Sequence, residues 1–487
     1  MKHPQHMSLN PKYHYHFIGI GGIGMSGLAE LLVRQGFEVS GSDMAESAIT
    51  RRLEGLGVRV FLGHRPENLG EARVVVHTTA VKEDNPELAA ARAGGRQILR
   101  RGEMQARLME GHFQVAVTGA HGKTSTTAMA AAVLRAGGLD PSVLVGAVWD
   151  SLGSNAILGR DNYFVAEADE SDASFLYLAP QVAVITNLDR EHLDFYRDLD
   201  HIRETCARFL AQLPSEGQVV AWRDDPYLPS LLKNRPQRII TYGLSPGAEF
   251  RATDIQVQGL GCRYRVWQAG RPLGTIRLPL AGAHYVLNSL AACAVGSCLV
   301  LPFSAWQQGL ANLGQIHRRC QVKGETEGIL VMDDYGHHPT EIVTTLAALA
   351  QAFPERRLVV AFQPHRYSRT RALLPEFFPV FGAAHQVFIT EIYSAGEPRL
   401  PSVSGRDVFV GVERQGHPGV TFVEDLAAFP EMLEQRLRPG DLFLTLGAGD
   451  IWKVGEELLQ RLGRSAAPRA GSGSGEDACR ALHARRA

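Results

Sequence analysis

The stretch TGAHGKTSTT, residues Thr118 to Thr127, decides the fold of the middle of this chain. It follows the apolar run FQVAV and leads into TTAMAAAVLRAGG, which is the strand–loop–helix context of a phosphate-binding loop. In such a loop, backbone N–H groups and a helix N-terminus bind phosphate oxygens, while Lys123 faces the terminal phosphates and Thr124 faces Mg²⁺. Only two residues separate Gly119 from Gly122, fewer than in the usual loop, so the motif departs from the general P-loop pattern. The alternative is a tight glycine turn with a solvated lysine.

Two further loops follow the next apolar runs. Glu167 lies in the acidic stretch VAEADESDASFL, and His192 lies in VITNLDREHLDFY. Because loops at the carboxyl ends of parallel strands form one ligand crevice, we expect Lys123, Thr124, Glu167 and His192 to meet in an ATP–metal site. Taken alone, an acidic run is usually a solvated face, and a lone histidine is more often structural.

An earlier glycine motif allows a competing interpretation. GIGGIG, residues Gly19 to Gly24, follows the apolar run HFIGI, and Asp43 closes the next predicted strand. Read alone, the motif indicates dinucleotide binding by an NAD-dependent dehydrogenase, with Asp43 on a ribose hydroxyl. The motif is a weak signal, and a second phosphate loop has no role in a dehydrogenase. A third interpretation is a regulator that binds nucleotide without turnover.

Alternating strands and helices indicate three α/β units in series. A chain of 487 residues is too long for one ordinary core. Strands and hairpins are predicted from Cys262 to Leu280, and a helix from Asn288 to Val300. The predicted divisions are an N-terminal arm (1–15), units at 16–111, 112–320 and 321–464, and a disordered tail (465–487).

Composition narrows the class of protein. The net charge is −1, so no global field points toward nucleic acid or membrane lipid. The six cysteines form no CxxC pair and fit a reducing compartment. No signal peptide and no run of apolar residues long enough to span a membrane is present, so we predict a cytoplasmic protein.

Five motifs together resemble the Mur ligases of peptidoglycan synthesis. They are TGAHGKTSTT, EADESDASF, TNLDREHLDFY, DDYGHHPTE and FQPHRYSRT, and the likeness runs from His16 to Leu462. The last two resemble the branch that adds L-alanine to UDP-N-acetylmuramate. The resemblance implies a Rossmann-like UDP-binding domain, a central P-loop ATPase domain and a C-terminal Rossmann-like domain. It also implies ATP as co-substrate, Mg²⁺ or Mn²⁺, an acyl phosphate intermediate, and a monomer or homodimer.

The resemblance also assigns site residues. Catalytic roles fall on Lys123, Glu167, His192, Arg319 and His338, and metal binding on Thr124, Glu167 and His192. ATP binding falls on Gly119, Ala120, His121, Gly122, Lys123, Thr124, Ser125, His284, Asn288, Arg318, Arg319 and Asp334. The UDP part falls on Gly19, Gly21, Gly22, Gly24, Asp43, His77 and Thr78. The amino-acid and muramate site falls on Tyr335, His337, His338, His365, Arg366 and Arg369.

The chain departs from the family pattern at four positions. Ala120 and Ser125 replace threonines in and after the phosphate loop, Tyr285 replaces an asparagine, and Cys320 replaces an aromatic residue. The segment IRETCARFL offers no lysine for the carbamylated residue that several relatives use, as is normal for this branch. These departures bear on nucleotide affinity more than on the class of reaction.

Overall fold

Three separate sheets organise the chain. The computed structural model describes residues 9–466, and it describes side chains for residues 9–463. Each sheet is built mainly of parallel strands joined by helices, which confirms the predicted three α/β units. Within residues 9–466, no helix combines the length and the apolar character that crossing a bilayer requires.

The first sheet has five parallel strands in the order β3-β2-β1-β4-β5. Its elements are β1 (His14–Ile18), α1 (Ile23–Arg34), β2 (Glu38–Asp43), α2 (Ala48–Gly55), β3 (Arg59–Leu62), β4 (Val74–His77), α3 (Pro86–Ala93), β5 (Gln97–Arg100) and α4 (Arg101–Met109). β1 is buried along its whole length, as expected for the central strand of a parallel sheet. It begins inside the segment predicted as an arm (1–15), because Tyr15 packs in the core and its hydroxyl bonds to Asn10.

The second sheet has ten strands in the order β15-β14-β13-β12-β11-β10-β6-β9-β7-β8. Its strands are β6 (Phe113–Thr118), β7 (Ser142–Trp149), β8 (Ser154–Ile157), β9 (Tyr163–Glu167), β10 (Val182–Ile185), β11 (Gln218–Trp222), β12 (Arg238–Gly243), β13 (Phe250–Gln258), β14 (Gly261–Gln268) and β15 (Arg271–Leu278). Its helices are α5 (Lys123–Ala136), α6 (Leu199–Leu210), α7 (Leu228–Leu232), α8 (Ala283–Cys298) and α9 (Phe303–Ala311). The antiparallel β14 and β15 confirm the predicted strands between Cys262 and Leu280.

The predicted bounds of the helix from Asn288 to Val300 were wrong at both ends. α8 starts five residues earlier, at Ala283, because Gly282 (φ 120°) turns the chain into the helix. It ends at Cys298 because Val300 adopts a left-handed backbone (φ 56°) that cannot continue a helix. Asn288 is therefore the sixth residue of α8, more than one turn from its start, where it packs beside the phosphate loop.

The third sheet has six strands in the order β16-β17-β21-β18-β19-β20. Its elements are β16 (Gln321–Thr326), β17 (Ile329–Asp334), α10 (Pro339–Ala352), β18 (Arg357–Phe362), α11 (Tyr367–Ala372), β19 (Gln386–Ile389), α12 (Gly405–Arg414), β20 (Val420–Phe422), α13 (Phe429–Arg436), β21 (Asp441–Leu446) and α14 (Trp452–Ala466). α14 extends two residues into the predicted tail (465–487), whose remainder lies outside the described residues.

The first and second sheets are docked tightly through α1. A Cβ at Gly27 would overlap the side chain of Leu144 on β7, so α1 lies directly against the β7–β8 hairpin. Buried Glu30 bonds to Ser154 Oγ at 2.6 Å across this contact, and Arg52 donates to Asn155 Oδ1 at 2.9 Å. The first two units therefore pack as one body, and the third unit joins it through residues 312–320.

Candidate active site

The phosphate loop connects the end of β6 to the start of α5 and is fixed by two close approaches. Gly119 has φ 122° and Gly122 has φ 81°, both in the left-handed region that glycine tolerates. A Cβ at Gly119 would overlap Thr186 Oγ1, and one at Gly122 would lie 2.7 Å from Asn288 Oδ1. Asn288, which was predicted to bind ATP, therefore lies against the loop.

Lys123 is held inside the loop that precedes it. Its Nζ donates to the carbonyl oxygens of Gly119 (2.8 Å) and Ala120 (3.2 Å) and to Glu170 Oε1 (2.7 Å). Burial alone would lower the pKa of Lys123, but Glu170, Glu167 and Asp169 outweigh it and raise the pKa, so the ammonium stays charged. Glu170 was not among the predicted site residues, although it stands in the same acidic motif as Glu167.

Thr124 and Glu167 provide a pair of oxygen donors beside the lysine. Thr124 Oγ1 donates to Glu167 Oε2 at 2.9 Å, and the N–H of Gly146 donates to the same oxygen at 3.0 Å. Burial raises the pKa of Glu167, and Lys123 opposes that shift. A hydroxyl beside a carboxylate is the oxygen chemistry that Mg²⁺ prefers, so these residues fit the ion.

His192 pairs with Glu170 instead of with Thr124 and Glu167. Its Nε2 is 3.3 Å from Glu170 Oε1, the same oxygen that accepts a hydrogen bond from Lys123 Nζ. Its backbone has a left-handed φ of 54°. The predicted metal set of Thr124, Glu167 and His192 is therefore divided into two neighbouring pairs, Thr124–Glu167 and Glu170–His192.

The rest of the loop rests on the end of β10 and on the third unit. The N–H of Ala120 donates to Asn187 O at 3.2 Å, and Ser125 is buried in the first turn of α5. His121 Nε2 is 2.9 Å from Asp189 Oδ2, and its Nδ1 is 3.3 Å from Glu341 Oε1. Burial would lower the pKa of His121, but the two carboxylates raise it to about 10, so the ring carries a positive charge.

A second group of donors meets near this histidine. One donor atom from each of His121, Glu191 and His338 lies within 4.8 Å of the other two, close enough to hold a metal ion. The protonated state of His121 opposes metal binding there, because a ligand must give up its proton. The oxygens of Thr124 and Glu167 are the better match for Mg²⁺.

Two adjacent arginines, Arg318 and Arg319, lie in the connecting segment 312–320, here called the hinge, and they contact different partners. Arg319 is half-buried, and its Nη2 donates to Thr124 Oγ1 at 3.3 Å while its guanidinium lies 5.3 Å from the Tyr335 ring centroid. Arg318 instead donates to Asp333 Oδ2 at 3.1 Å and to the carbonyl of Gly449 at 3.2 Å. Its left-handed φ of 60° separates the two side chains. In this arrangement Arg318 faces the third sheet, and its predicted contact with ATP stays a prediction.

The other predicted ATP residues, Asp334 and His284, lie near residues 319 and 320. Asp334 accepts hydrogen bonds from the N–H groups of Cys320 (2.7 Å) and Gly336 (2.8 Å). Burial raises the pKa of Asp334, and the positive charge of Arg319 opposes that rise. His284 is half-buried at the start of α8, and desolvation lowers its pKa to about 4. The Cys320 thiol interacts with the Tyr285 hydroxyl, so two of the departures from the family pattern occur at one place.

The third unit brings its predicted residues against the loop that contains His192. Arg369 Nε donates to Glu191 Oε1 at 2.9 Å, with both side chains less than one-tenth exposed, and Arg366 Nη1 donates to Asp194 Oδ2 at 2.9 Å. Burial would raise the pKa of Glu191, but Arg369 and nearby histidines lower it well below its ordinary value. Glu191 was not predicted, because its charged partner Arg369 comes from the third unit.

The histidines of the third unit form one cluster facing the same loop. The ring of His337 lies 5.7 Å from that of His365, which stacks on Tyr393, and Arg369 Nη1 is 3.1 Å from His365 Nδ1. Burial lowers the pKa of His337 to about 4, so its ring is neutral. His338 Nε2 is 3.3 Å from the carbonyl of Arg190.

The glycine motif of the first unit forms a separate crevice. The seven residues predicted there lie at one end of the first sheet: Gly19, Gly21, Gly22, Gly24, Asp43, His77 and Thr78. The N–H of Gly21 donates to Asp43 Oδ2 at 2.8 Å, and His77 Nδ1 is 3.2 Å from Thr78 O. Arg101, which was not predicted, lies beside Gly24 and donates to Asp169 Oδ2 at 2.7 Å, linking this crevice to the acidic motif.

Comparison with known proteins identifies the class. Three Mur ligase models match in order: the Mur ligase family catalytic domain at residues 14–113, the middle domain at 117–296 and the glutamate ligase domain at 318–449. The chain belongs to the Mur ligase family, which confirms the resemblance seen in the five motifs. The dehydrogenase interpretation of GIGGIG is therefore wrong.

Two relatives and one solved structure indicate the branch of the family that this chain is similar to. The UDP-N-acetylmuramate–L-alanine ligase of Syntrophobacter fumaroxidans is 49% identical over 450 residues, covering 92% of this chain and 96% of its own. The enzyme of that name from Geobacter sp. strain M21 is 48% identical over 447 residues, covering 92% and 97%. The crystal structure of the UDP-N-acetylmuramate–alanine ligase of Thermotoga maritima matches with a TM-score of 0.81 at 29% identity, covering 93% of this chain and 100% of its own.

Proposed function

We propose that this chain joins L-alanine to the lactyl carboxylate of UDP-N-acetylmuramate and consumes ATP in peptidoglycan synthesis. The products are UDP-N-acetylmuramoyl-L-alanine, ADP and phosphate. The names of the relatives support this substrate set. The observation that carries the proposal is the contact of hinge Arg319 with Thr124 in the phosphate loop at 3.3 Å. This contact supports a single cleft shared by the nucleotide loop and the histidines and arginines of the third unit.

The first step activates the carboxylate. A lactyl carboxylate oxygen attacks the γ-phosphorus of ATP, the bond to the β-phosphate oxygen breaks, and ADP leaves behind an acyl phosphate. Lys123 and Arg319 neutralise the charge on the transferring group, and fixed charges in a buried site do this without reorganisation. Mg²⁺, held by Thr124 and Glu167, would supply further charge neutralisation on the phosphates.

The second step forms the amide. The neutral amine of L-alanine attacks the acyl carbon, and phosphate leaves from the tetrahedral intermediate. An acceptor must hold the ammonium proton, and His192 and His338 are the candidates. His338 is favoured, because burial, with His121 adding to it, lowers its pKa and keeps the ring neutral. His192 lies instead beside the carboxylate of Glu170.

Binding and closure follow from the same arrangement. Arg366 and Arg369 are placed to receive carboxylates of L-alanine or muramate, and the glycine crevice with Asp43 and Thr78 receives the UDP part. Closure of the third unit excludes water, which otherwise hydrolyses the acyl phosphate. Residues 16–111, 112–320 and 321–464 are the proposed domains. We place the protein in the cytoplasm as a monomer or homodimer.

ADP release with each substrate omitted in turn tests the proposal. Purified full-length chain should release ADP only with UDP-N-acetylmuramate, Mg²⁺ and an amino acid, and L-alanine should exceed glycine and L-serine. With ¹⁸O in the muramate carboxylate, one label should appear in the released phosphate. ADP release that needs no muramate, or unlabelled phosphate, would contradict carboxylate activation and favour a regulator that hydrolyses ATP.

A further inference from the structure

Glu341 fixes the backbone on which two site histidines stand. It occupies the first turn of α10, and its Oε2 accepts the N–H groups of His337 (3.0 Å) and His338 (3.2 Å). This capping interaction sets the direction of both side chains at the helix start. One carboxylate oxygen is therefore bonded to the segment that holds the histidines of the predicted amino-acid site.

The other oxygen of Glu341 faces the phosphate loop. Oε1 lies 3.3 Å from Nδ1 of His121, the side chain between Ala120 and Gly122. The main chain of His121 is itself fixed, since its N–H donates to Asn187 Oδ1 at 2.9 Å and its carbonyl accepts Thr186 Oγ1 at 2.6 Å. A displacement of Glu341 therefore acts on a loop that has little freedom to follow.

The contact joins opposite charges in a buried place. Histidine 121 carries a positive charge, because Asp189 and Glu341 raise its pKa to about 10 against the effect of burial. Burial would raise the pKa of Glu341, but His337, His121 and Arg319 lower it well below its ordinary value. A charge-assisted contact of this kind contributes about 1.5–3 kcal/mol, equivalent to about 10- to 100-fold in an equilibrium.

We propose that Glu341 is a positioning residue that couples closure of the third unit to the phosphate loop. Its two oxygens span the cleft, so the His337–His338 turn reaches its working position only when Glu341 meets His121. Nucleotide in the loop and amino acid in the third unit then favour each other's binding through the closed state. This inference rests on the proposed ligase function, and it gives His121 a role other than phosphate binding.

The substitution Glu341→Gln separates the two halves of the role. The glutamine amide oxygen can still accept the N–H groups of His337 and His338, while its NH₂ group meets the positive ring of His121 and the attraction is lost. Glu341→Ala loses both. The matched control is Glu376→Gln, because Glu376 bonds to Arg190 at 3.1 Å across the same interface but both side chains are largely exposed.

We would measure ADP release in full-length chains. Glu341→Gln should lower kcat about 10- to 100-fold and raise KM for ATP and L-alanine, whose binding the contact couples, while KM for UDP-N-acetylmuramate stays within about threefold. The melting temperature should fall by only a few degrees, because the hydrogen bonds from the N–H groups of His337 and His338 are kept. The control should stay within about twofold of the wild type. In a His121→Ala background, Glu341→Gln should cause no further loss; His121→Gln serves if the alanine variant does not fold.

A second readout does not depend on ligation. Small-angle scattering with a non-hydrolysable ATP analogue should show a smaller decrease in the radius of gyration for Glu341→Gln than for the wild type. Equal compaction of the two chains, or an undiminished effect of Glu341→Gln without His121, would overturn the inference. Failure of the proposed function would appear separately, as a wild-type chain that compacts with nucleotide but forms no amide.

Discussion

Replacing Lys123 with alanine perturbs two roles of one side chain. The ammonium contacts Glu170 Oε1 at 2.7 Å and the Gly119 carbonyl at 2.8 Å, and it and Glu170 are respectively 13% and 9% exposed. Glu170 Oε2 has no hydrogen-bond partner among the described residues, so Lys123 is the main stabilising contact of that carboxylate. Breaking a buried ion pair from one side costs about 3–5 kcal/mol. We expect Lys123→Ala to lower the free energy of unfolding by about that amount.

The same substitution should also remove catalysis. Loss of a charge that stabilises the transferring phosphoryl group costs orders of magnitude in rate, and we expect a loss of at least about 1000-fold in kcat. Stability and catalysis can be separated by adding Glu170→Gln, which removes the unpaired charge. The double variant should recover most of the lost stability and none of the lost activity.

The assay combines urea denaturation, followed by tryptophan fluorescence, with ADP release on the same preparations. Because the chain has several domains, the transition of the central unit is compared between variants instead of one global free energy. Lys123→Ala within about threefold of wild-type kcat would refute the phosphate-loop assignment. Equal stability of Lys123→Ala and wild type would refute the ion-pair reasoning, as would a double variant less stable than Lys123→Ala.

Three further predictions address other parts of the site. Arg319→Lys should lower kcat about 100-fold in ADP release while the melting temperature stays within a few degrees, because lysine cannot reproduce the planar guanidinium between Thr124 and the Tyr335 ring; near-normal kcat would contradict a phosphate contact. Burial, with Arg369 adding to it, lowers the pKa of His337 from 6.5 to about 4, so the unfolded chain takes up the proton first as pH falls. The free energy of unfolding, measured by urea titration, should therefore drop by up to about 3 kcal/mol between pH 6.5 and 4. His337→Gln should flatten this drop, and an equally steep drop in that variant would contradict the prediction. A chain that ends at Gln315 keeps the carbonyl of Leu313 that accepts Trp149 Nε1, and it should bind UDP-N-acetylmuramate by calorimetry yet form no amide; retained ligation would show that the third unit is dispensable.

The sequence predicted residues whose role follows from local geometry. The phosphate loop was found from the spacing of Gly119, Gly122 and Lys123, because the strand and helix on either side are continuous in sequence. Glu170, Glu191 and Glu341 were not assigned roles, because their charged partners Lys123, Arg369 and His121 come from segments at least 47 positions away. The contact of Glu191 with Arg369 spans 178 positions, and no local pattern marks it.

Arg318 shows a different limit. The family resemblance assigned Arg318 and Arg319 to ATP binding as one pair. The left-handed backbone at Arg318 (φ 60°) sends one guanidinium to the third sheet and the other to the phosphate loop. A positive φ at a non-glycine residue costs energy that only tertiary contacts repay, so it is not visible in the sequence.

The loop at residues 189–194 has a consequence for the working conditions of the enzyme. Asp189, Glu191 and Asp194 all form charged contacts, the last two directly with arginines of the third unit. Dissolved ions weaken such contacts, and they also weaken the attraction of an anionic nucleotide for the open cleft. Added salt therefore speeds opening of the cleft, which releases product, but slows the capture of ATP. We expect turnover to pass through a maximum as ionic strength rises, with product release limiting on the dilute side and nucleotide capture on the concentrated side.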